Sequence, residues 1–311
     1  MKDLKEFATY VAQHLFDAEP ELAENLKVEI HEVVKNNGKV LTGITVREKG
    51  YNIAPTIYVN DAFEKYHNGT DLEKIVDEFL EAYKTSRIQE DFAMDFFTDF
   101  EQAKKRLSMK LVNAEKNSKL LEDLPYCQLG DLAIIFQVQA NMKQYGTATI
   151  TVRNEHVQLW NVTTDVLFDY AKQNMEENQP VRIQSMFEVL KGMFGDMPEE
   201  VIENSIPMYV LSNESMVNAA SGMIFTEKLK EFADLKEANL YILPSSVHEV
   251  LLIPDNGNVE TERLEEMVYE VNNTQVAPEE VLSDRVYYFD RFENALMYAD
   301  TKEKIEIVTI M

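Results

Sequence analysis

The 311-residue chain contains one cysteine, ten glycines and nine prolines, and these low counts exclude several classes of protein. The single Cys127 cannot form an internal disulfide, which is the pattern of a protein kept in a reducing compartment. Scarce, unclustered glycines provide no phosphate-binding loop of the dinucleotide or P-loop type.

The first residues include acids where a secretory signal needs a basic and then an apolar run. No stretch reaches the roughly 18 apolar residues of a membrane span. We therefore expect a cytoplasmic protein that does not enter a membrane.

Ligands for a metal ion are scarce and dispersed as well. Zinc sites need three or four histidine, cysteine or carboxylate ligands at set spacing, and the chain has neither a cysteine pair nor an HExxH sequence. A nucleophile elbow of the G-x-S-x-G type is also missing. Cys127 precedes an apolar run, where a buried, inert thiol is the structural interpretation and a thiolate nucleophile the functional one. We expect no metal and no other cofactor. The five histidines are His14, His31, His67, His156 and His248.

Negative charge dominates the composition. The chain has 55 acidic and 30 basic residues, a net charge of −25, and residues 196–311 alone hold 24 acids and 8 bases. Because a duplex phosphate backbone requires lysine and arginine, direct nucleic-acid binding is disfavoured. The structural interpretation of the surplus is a solvated surface that keeps the protein soluble. Two functional interpretations stand beside it: an acidic surface for a basic protein partner, and an imitation of nucleic acid.

The apolar patterns predict an α+β fold, with helices packed on mixed or antiparallel sheets, because strands and helices follow one another in irregular order. Helical spacing at the start, β-branched runs joined by Asn37-Gly38 and two later helical patterns predict the order α-β-β-β-α-α for the first part of the chain. We expect two or three packed subdomains, and we divide the chain into three. They are an N-terminal α+β subdomain (1–88), a long helix with a central α+β subdomain (89–195), and an acidic C-terminal α+β subdomain (196–311).

The long helix is predicted over residues 89–117, which contain neither proline nor glycine. Apolar residues recur there at helical spacing, and such a stripe indicates a helix face packed in a core. The face consists of Phe92, Phe96, Phe100, Ala103 and Leu107.

One segment combines several polar groups that can carry chemistry. Between two predicted strands the chain reads Ser245, Ser246, Val247, His248, Glu249. In a functional interpretation Ser246 is a nucleophile or binding hydroxyl, His248 its base and Glu249 the group that orients the base, with Ser245 as a further ligand-binding hydroxyl. In the structural interpretation the serines bond the backbone of a turn. Strand alternation sends His248 and Glu249 to opposite faces, which favours the structural interpretation.

A second polar segment, residues 270–276, follows the apolar face of an acidic helix. Asn272 and Asn273 can end that helix, and Thr274 with Gln275 can bond loop backbone. Amide-rich loops also bind ligands, so Asn273 and Gln275 are candidate ligand-binding residues.

Four segments serve as family markers: NIAPTIY (52–58), YHNG (66–69), ILPSSVHEV (242–250) and EVNNTQVAPEEVLSD (270–284). Together they resemble a bacterial domain-of-unknown-function family, number 5688. The resemblance covers nearly the whole chain, and the layout is loosely similar to another unknown-function family, number 1444. Membership in the first family implies a cytoplasmic bacterial protein and assigns no catalytic residue.

These observations lead to three hypotheses of function. The first is a non-enzymatic cytoplasmic binding or regulatory protein that engages protein partners through its acidic C-terminal surface. The second is a small-molecule hydrolase or ligand-binding enzyme that uses Ser246 and His248, with Asn273 or Gln275 closing the pocket. The third is an acidic nucleic-acid mimic, which requires carboxylates spaced along one ridge like phosphates.

Overall fold

The chain forms two compact units in a computed structural model, residues 1–94 and residues 95–311. Each unit has its own sheet structure and its own buried core. The residues that the structure describes are 2–87, 95–142, 146–195 and 206–310.

The first unit has the predicted order of helices and strands. Its strands pair antiparallel in the order β1-β2-β3. The carboxylates of Asp3 and Asp71 begin helices α1 and α3 by accepting hydrogen bonds from backbone N–H groups that have no partner within the helix. The elements are α1 (Leu4–His14), β1 (Leu26–Val34), β2 (Val40–Glu48), β3 (Thr56–Tyr58), α2 (Asn60–His67) and α3 (Leu72–Ser86).

The predicted β1–β2 hairpin is confirmed at its turn. Asn37 and Gly38 have φ values of 60° and 68°, a left-handed conformation that asparagine and glycine adopt at low cost. Residues from the helices and from the sheet then close one core, in which Phe7, Ile44 and Ile75 are fully buried.

The second unit contains two antiparallel sheets. One has the order β14-β5-β6-β4, with β7 also paired to β6, and the other has the order β13-β12-β10-β11-β9-β8. The strands are β4 (Leu107–Asn113), β5 (Tyr126–Leu129), β6 (Leu132–Met142), β7 (Gly146–Thr151), β8 (Arg182–Ser185), β9 (Tyr209–Ser212), β10 (Leu240–Leu243), β11 (Val250–Pro254), β12 (Tyr287–Asp290), β13 (Ala295–Tyr298) and β14 (Ile307–Ile310).

Helices accompany both sheets of this unit, and the predicted α+β fold is confirmed. One apolar core contains residues from both sheets, among them Phe136 and Phe289. The described helices are α4 (Asp95–Thr98), α5 (Phe100–Ala103), α6 (Ser118–Leu121), α7 (Asn154–Trp160), α8 (Thr164–Asn178), α9 (Met186–Phe194), α10 (Thr226–Lys236) and α11 (Thr261–Thr274).

The prediction of one long helix over residues 89–117 is wrong. Two single-turn helices, α4 and α5, are followed by a 3-10 turn and then by strand β4. Leu107, Ser108 and Met109 are all buried, so both faces of this strand are covered. The strand alternates Leu107, Met109 and Leu111 with polar residues, but Leu107 also continues the helical spacing of the residues before it, so the two patterns overlap. Residues 89–94 of the predicted helix, including Phe92, lie outside the described residues.

The last strand connects distant parts of the second unit. Strand β14 pairs antiparallel with β5, so a strand from the predicted C-terminal subdomain completes a sheet of the predicted central one. The subdomain boundary at residue 195 stays a prediction. In the part of the chain that the structure describes, no helix is both long and apolar enough to cross a membrane.

Candidate functional site

The Ser/His segment of the sequence connects β10 to β11 and is held by a second segment. The Val247 N–H donates to the Glu280 carbonyl at 2.9 Å, and the Leu282 N–H donates to the Ser245 carbonyl at 3.2 Å. Ser246 forms an isolated antiparallel bridge with Val281 between these bonds. The backbone of both segments is therefore fixed on each side of Ser246.

The hydroxyl of Ser246 belongs to a local turn. Its Oγ accepts a hydrogen bond from the backbone N–H of His248 at 3.1 Å. This is the serine turn of the structural interpretation, in which the hydroxyl replaces a backbone acceptor. A nucleophilic role instead requires this oxygen to lie within hydrogen-bond reach of the imidazole.

The imidazole of His248 has partners from two distant parts of the chain. Its Nδ1 accepts a hydrogen bond from the Asn218 N–H at 3.3 Å, and its Nε2 lies 3.4 Å from Glu280 Oε1. Because Nδ1 is an acceptor, the neutral ring carries its proton on Nε2 and directs it towards Glu280. Asn218 Nδ2 in turn donates to Gln137 Oε1 at 3.4 Å, which continues the network to strand β6.

The other predicted site residues lie apart from this network. Glu249 is half-buried in the segment that leads into β11, and the carboxylate beside the imidazole is that of Glu280. Asn273 lies in α11, where its Nδ2 donates to the Tyr269 carbonyl at 2.7 Å. Gln275 directly follows the helix and bonds the neighbouring Thr274 hydroxyl. Ser245, Ser246 and His248 thus lie in one short segment, whereas Asn273 and Gln275 use their side-chain amides on α11.

A second polar group surrounds the carboxylate of Asp131, at the turn between β5 and β6. Its Oδ2 accepts a hydrogen bond from the Ser283 hydroxyl at 2.6 Å, and its Oδ1 accepts one from the Tyr287 hydroxyl. Burial raises the pKa of Tyr287 well above its ordinary value, and the charge of Asp131 raises it further. The phenol therefore stays protonated at neutral pH and donates, so this group connects two sheets.

Next to this group, Arg285 makes two contacts of different kinds. Its guanidinium carbon lies 3.4 Å from the centre of the Tyr298 ring, and its Nη2 donates to both carboxylate oxygens of Asp300 at 3.1 Å. Partial burial raises the pKa of Asp300, but the hydrogen bond from the Thr301 N–H and the charge of Arg285 lower it by more. The net result is a lowered pKa for Asp300. Arg285 is thus neutralised within the chain.

An apolar cleft lies where α8 ends and α10 begins. It has a volume of about 220 Å³, and apolar side chains provide most of its lining. Phe225 and Met175 are buried beneath it, and the exposed residues Glu176 and Glu227 contribute carboxylates. We call it the acid-rimmed cleft. Its lining residues are Met175, Glu176, Pro180, Val181, Phe225, Glu227 and Lys228.

The charges of the acid-rimmed cleft are unbalanced. Lys228 is neutralised by Glu231, with Nζ–O distances of 3.1 and 2.8 Å. Among the described residues, Glu176 and Glu227 form no ion pair. The cleft therefore combines an apolar floor with carboxylates that no basic residue of the described chain neutralises.

Groups that could hold a metal are not clustered in the part of the chain described above: no three histidine, cysteine or carboxylate side chains come together there. Cys127 is fully buried, and burial raises the pKa of its thiol, which the Thr309 hydroxyl partly offsets. The interpretation of Cys127 as a buried thiol agrees with this placement.

The sequence contains no local signal for the partners that these sites use. Glu280 and Asn218 are each about thirty residues from His248, and the acid-rimmed cleft joins two separate segments. Sequence reasoning therefore missed both residues and the cleft.

Comparison with known proteins identifies a family and no named relative. No curated protein and no solved structure matches the chain. The family of unknown function DUF5688 matches residues 4–291, which confirms the resemblance of the marker segments. The chain therefore belongs to the DUF5688 family of unknown function.

Proposed function

We propose that this chain is a non-enzymatic binding protein of the bacterial cytoplasm that engages a basic protein partner through an acidic surface, to which residues 196–311 and the end of helix α8 contribute. The observation that carries the proposal is the acid-rimmed cleft, where the carboxylates of Glu176 and Glu227 flank the apolar Val181 and Phe225. A lysine or arginine stem, or an apolar residue beside a basic one, has the matching chemistry.

The volume of the cleft supports a protein partner over a free small molecule. At about 220 Å³ it is smaller than the roughly 300–1,000 Å³ of ligand pockets. Protein interfaces concentrate their binding energy in a few anchor side chains that fill such small pockets. We therefore place one anchor residue of the partner in this cleft.

The surrounding charge supports a basic partner. Residues 196–311 contain 24 acids and eight basic residues, and five of those basic residues pair with carboxylates of the chain itself. Such a field accelerates encounter with a positively charged surface and repels nucleic acid. The five paired residues are Lys228, Lys230, Arg285, Arg291 and Lys304.

An array of random 15-residue peptides (about the length of one interface segment), with a charge-swapped copy of each peptide, tests this proposal. We expect the bound peptides to be enriched in lysine and arginine beside an apolar residue, and their charge-swapped copies to lose binding. The double variant Glu176→Lys, Glu227→Lys should lose these peptides. The matched control, Glu115→Lys, Glu122→Lys, makes the same charge change on exposed residues outside the cleft and should retain them.

Two outcomes would contradict the proposal. One is an array in which basic peptides are not enriched. The other is a set of bound peptides that the cleft variant and the control retain equally.

The hydrolase hypothesis stays a second candidate because of one distance. His248 Nε2 lies 3.4 Å from Glu280 Oε1, so an imidazole with an orienting carboxylate exists at the Ser246 segment. Phosphonylation of Ser246 by a fluorophosphonate probe, in which the serine oxygen displaces fluoride from phosphorus, would support it if the reaction is lost in His248→Gln. The nucleic-acid mimic stays a prediction.

A further inference from the structure

A polar pocket lies between strand β4, strand β6 and the end of helix α8. Its volume is about 450 Å³, within the usual size range of sites for small metabolites. It is a different site from the acid-rimmed cleft, although Met175 contacts both. Its lining residues are Gln102, Lys105, Arg106, Leu107, Ser108, Gln139, Asn174, Met175, Asn178 and Gln179.

The charge of this polar pocket is opposite to that of the protein. In a chain with 55 acids, no aspartate or glutamate is found among the described residues that line it, and two basic residues are. Neither Lys105 nor Arg106 has a carboxylate partner among the described residues, whereas the neighbouring Lys104 pairs with Glu101 at 2.7 Å. Lys104, Lys105 and Arg106 are also the only three consecutive basic residues of the sequence, a signal that points to this pocket.

The guanidinium of Arg106 is already held in place. Its central carbon lies 4.5 Å from the centre of the Phe96 ring, within cation–π range. A stacked arginine loses less side-chain freedom when it binds an anion, and its planar donors match phosphate oxygens. Lys105 adds a second positive charge on the same turn.

Neutral polar groups complete the lining. Gln102, Gln139 and Gln179 bring amides that can both donate and accept. Asn174 uses its Nδ2 on the Lys104 and Leu107 carbonyls at 2.7 and 3.0 Å, so it offers the pocket its Oδ1 acceptor. Such a mixture suits hydroxyl groups as well as an anion.

We infer that this polar pocket binds a small molecule that carries a phosphate group and hydroxyls, with Lys105 and Arg106 on the phosphate and the amides on the hydroxyls. The inference stands independently of the proposed protein partner, because it uses a different site.

Calorimetric titration of the full chain at low ionic strength tests the inference, with glucose 6-phosphate, inorganic phosphate, glucose and citrate as probes. We expect glucose 6-phosphate to bind one per chain, inorganic phosphate to bind more weakly and glucose not to bind. The double variant Lys105→Gln, Arg106→Gln should weaken glucose 6-phosphate binding about tenfold or more, since it removes charge-assisted hydrogen bonds. The control Lys74→Gln, Lys119→Gln removes two exposed charges elsewhere and should bind normally.

Several results would overturn the inference. Absence of binding by either phosphate-bearing probe is one, and equal binding to the variant and the wild type is another. Binding of citrate without glucose 6-phosphate would show that the anion is a carboxylate. If Lys105 and Arg106 only stabilise the C-terminal carbonyls of α8, then Lys105→Gln, Arg106→Gln will lower the melting temperature and no probe will bind. This result would also overturn the inference.

Discussion

The hydroxyl of Ser246 accepts a hydrogen bond from the backbone N–H of His248 at 3.1 Å, two residues along the chain. The turn therefore uses the serine oxygen, and the imidazole faces Asn218 and Glu280. We expect Ser246→Ala to lower the free energy of unfolding by about 0.5–1.5 kcal/mol, the usual value of one neutral hydrogen bond. Urea denaturation measures this change. Ser246→Thr keeps the hydroxyl and should recover most of it. An unchanged free energy in Ser246→Ala would show that the turn does not depend on the hydroxyl.

The Asp131 carboxylate makes Tyr287 important for stability. Tyr287→Phe removes a hydrogen bond to a charged group and leaves Asp131 with the Ser283 hydroxyl. We expect a loss of about 1.5–3 kcal/mol in the free energy of unfolding. Tyr241→Phe is the control, because that hydroxyl has no hydrogen bond within the described residues, and we expect a change below about 0.5 kcal/mol. Equal losses in both variants would contradict this account of the Asp131 group.

The phenol of Tyr288 makes the free energy of unfolding depend on pH in the alkaline range. Burial raises its pKa to about 12, with Asp255 raising it and Asn239 lowering it. Because the folded state holds this proton more tightly than the unfolded state, the stabilisation is complete below pH about 10 and is lost as pH rises towards 12. Between pH 9 and 11 the titration of Tyr288 lowers the free energy of unfolding by about 1 kcal/mol. Denaturant unfolding at both pH values measures the total loss in the free energy of unfolding. Tyr288→Phe removes the titrating phenol, so the loss in this variant should be smaller by about 1 kcal/mol. An identical pH dependence in the variant would contradict the assignment.

The thiol of Cys127 is a reporter of strand β14. It is fully buried, its Sγ lies 3.7 Å from the Thr309 hydroxyl, and its pKa is raised by burial. We expect reaction with a disulfide reagent to be at least about 100-fold slower in the folded protein than in denaturant. Absorbance of the released thiolate measures the rate, and Cys127→Ser gives the background. Equal rates in the two conditions would show that the thiol is accessible in the folded state.

Local patterns predicted the first unit because its structure is decided locally. The Asn37-Gly38 turn and the alternation of the flanking strands identify a hairpin without any knowledge of distant residues. The prediction failed at Leu107 and Met109, because Leu107 belongs both to the helical spacing before it and to the alternation of β4 after it. The segment 182–194 is equally hard to divide from its sequence, because β8 passes directly into α9 at Ser185 and neither glycine nor proline separates them.

The candidate sites show the same limit. The sequence placed Ser246 and His248 together because they are neighbours, but Glu280 joins them only through pairing of distant segments. The acid-rimmed cleft likewise needs α8 and α10 to meet, and neither Val181 nor Phe225 is unusual in its own segment.

Photocrosslinking from the acid-rimmed cleft tests the central claim of a basic protein partner most directly. With p-benzoylphenylalanine in place of Val181, irradiation in native lysate should join the chain to one partner, and mass spectrometry should place the bond in a segment rich in lysine and arginine. A synthetic peptide of that segment should then bind the wild type and lose binding in Glu176→Lys, Glu227→Lys. The claim would be contradicted if p-benzoylphenylalanine at position 181 gave the same crosslinks as p-benzoylphenylalanine in place of Glu115. Bonds to neutral or acidic segments would contradict it as well.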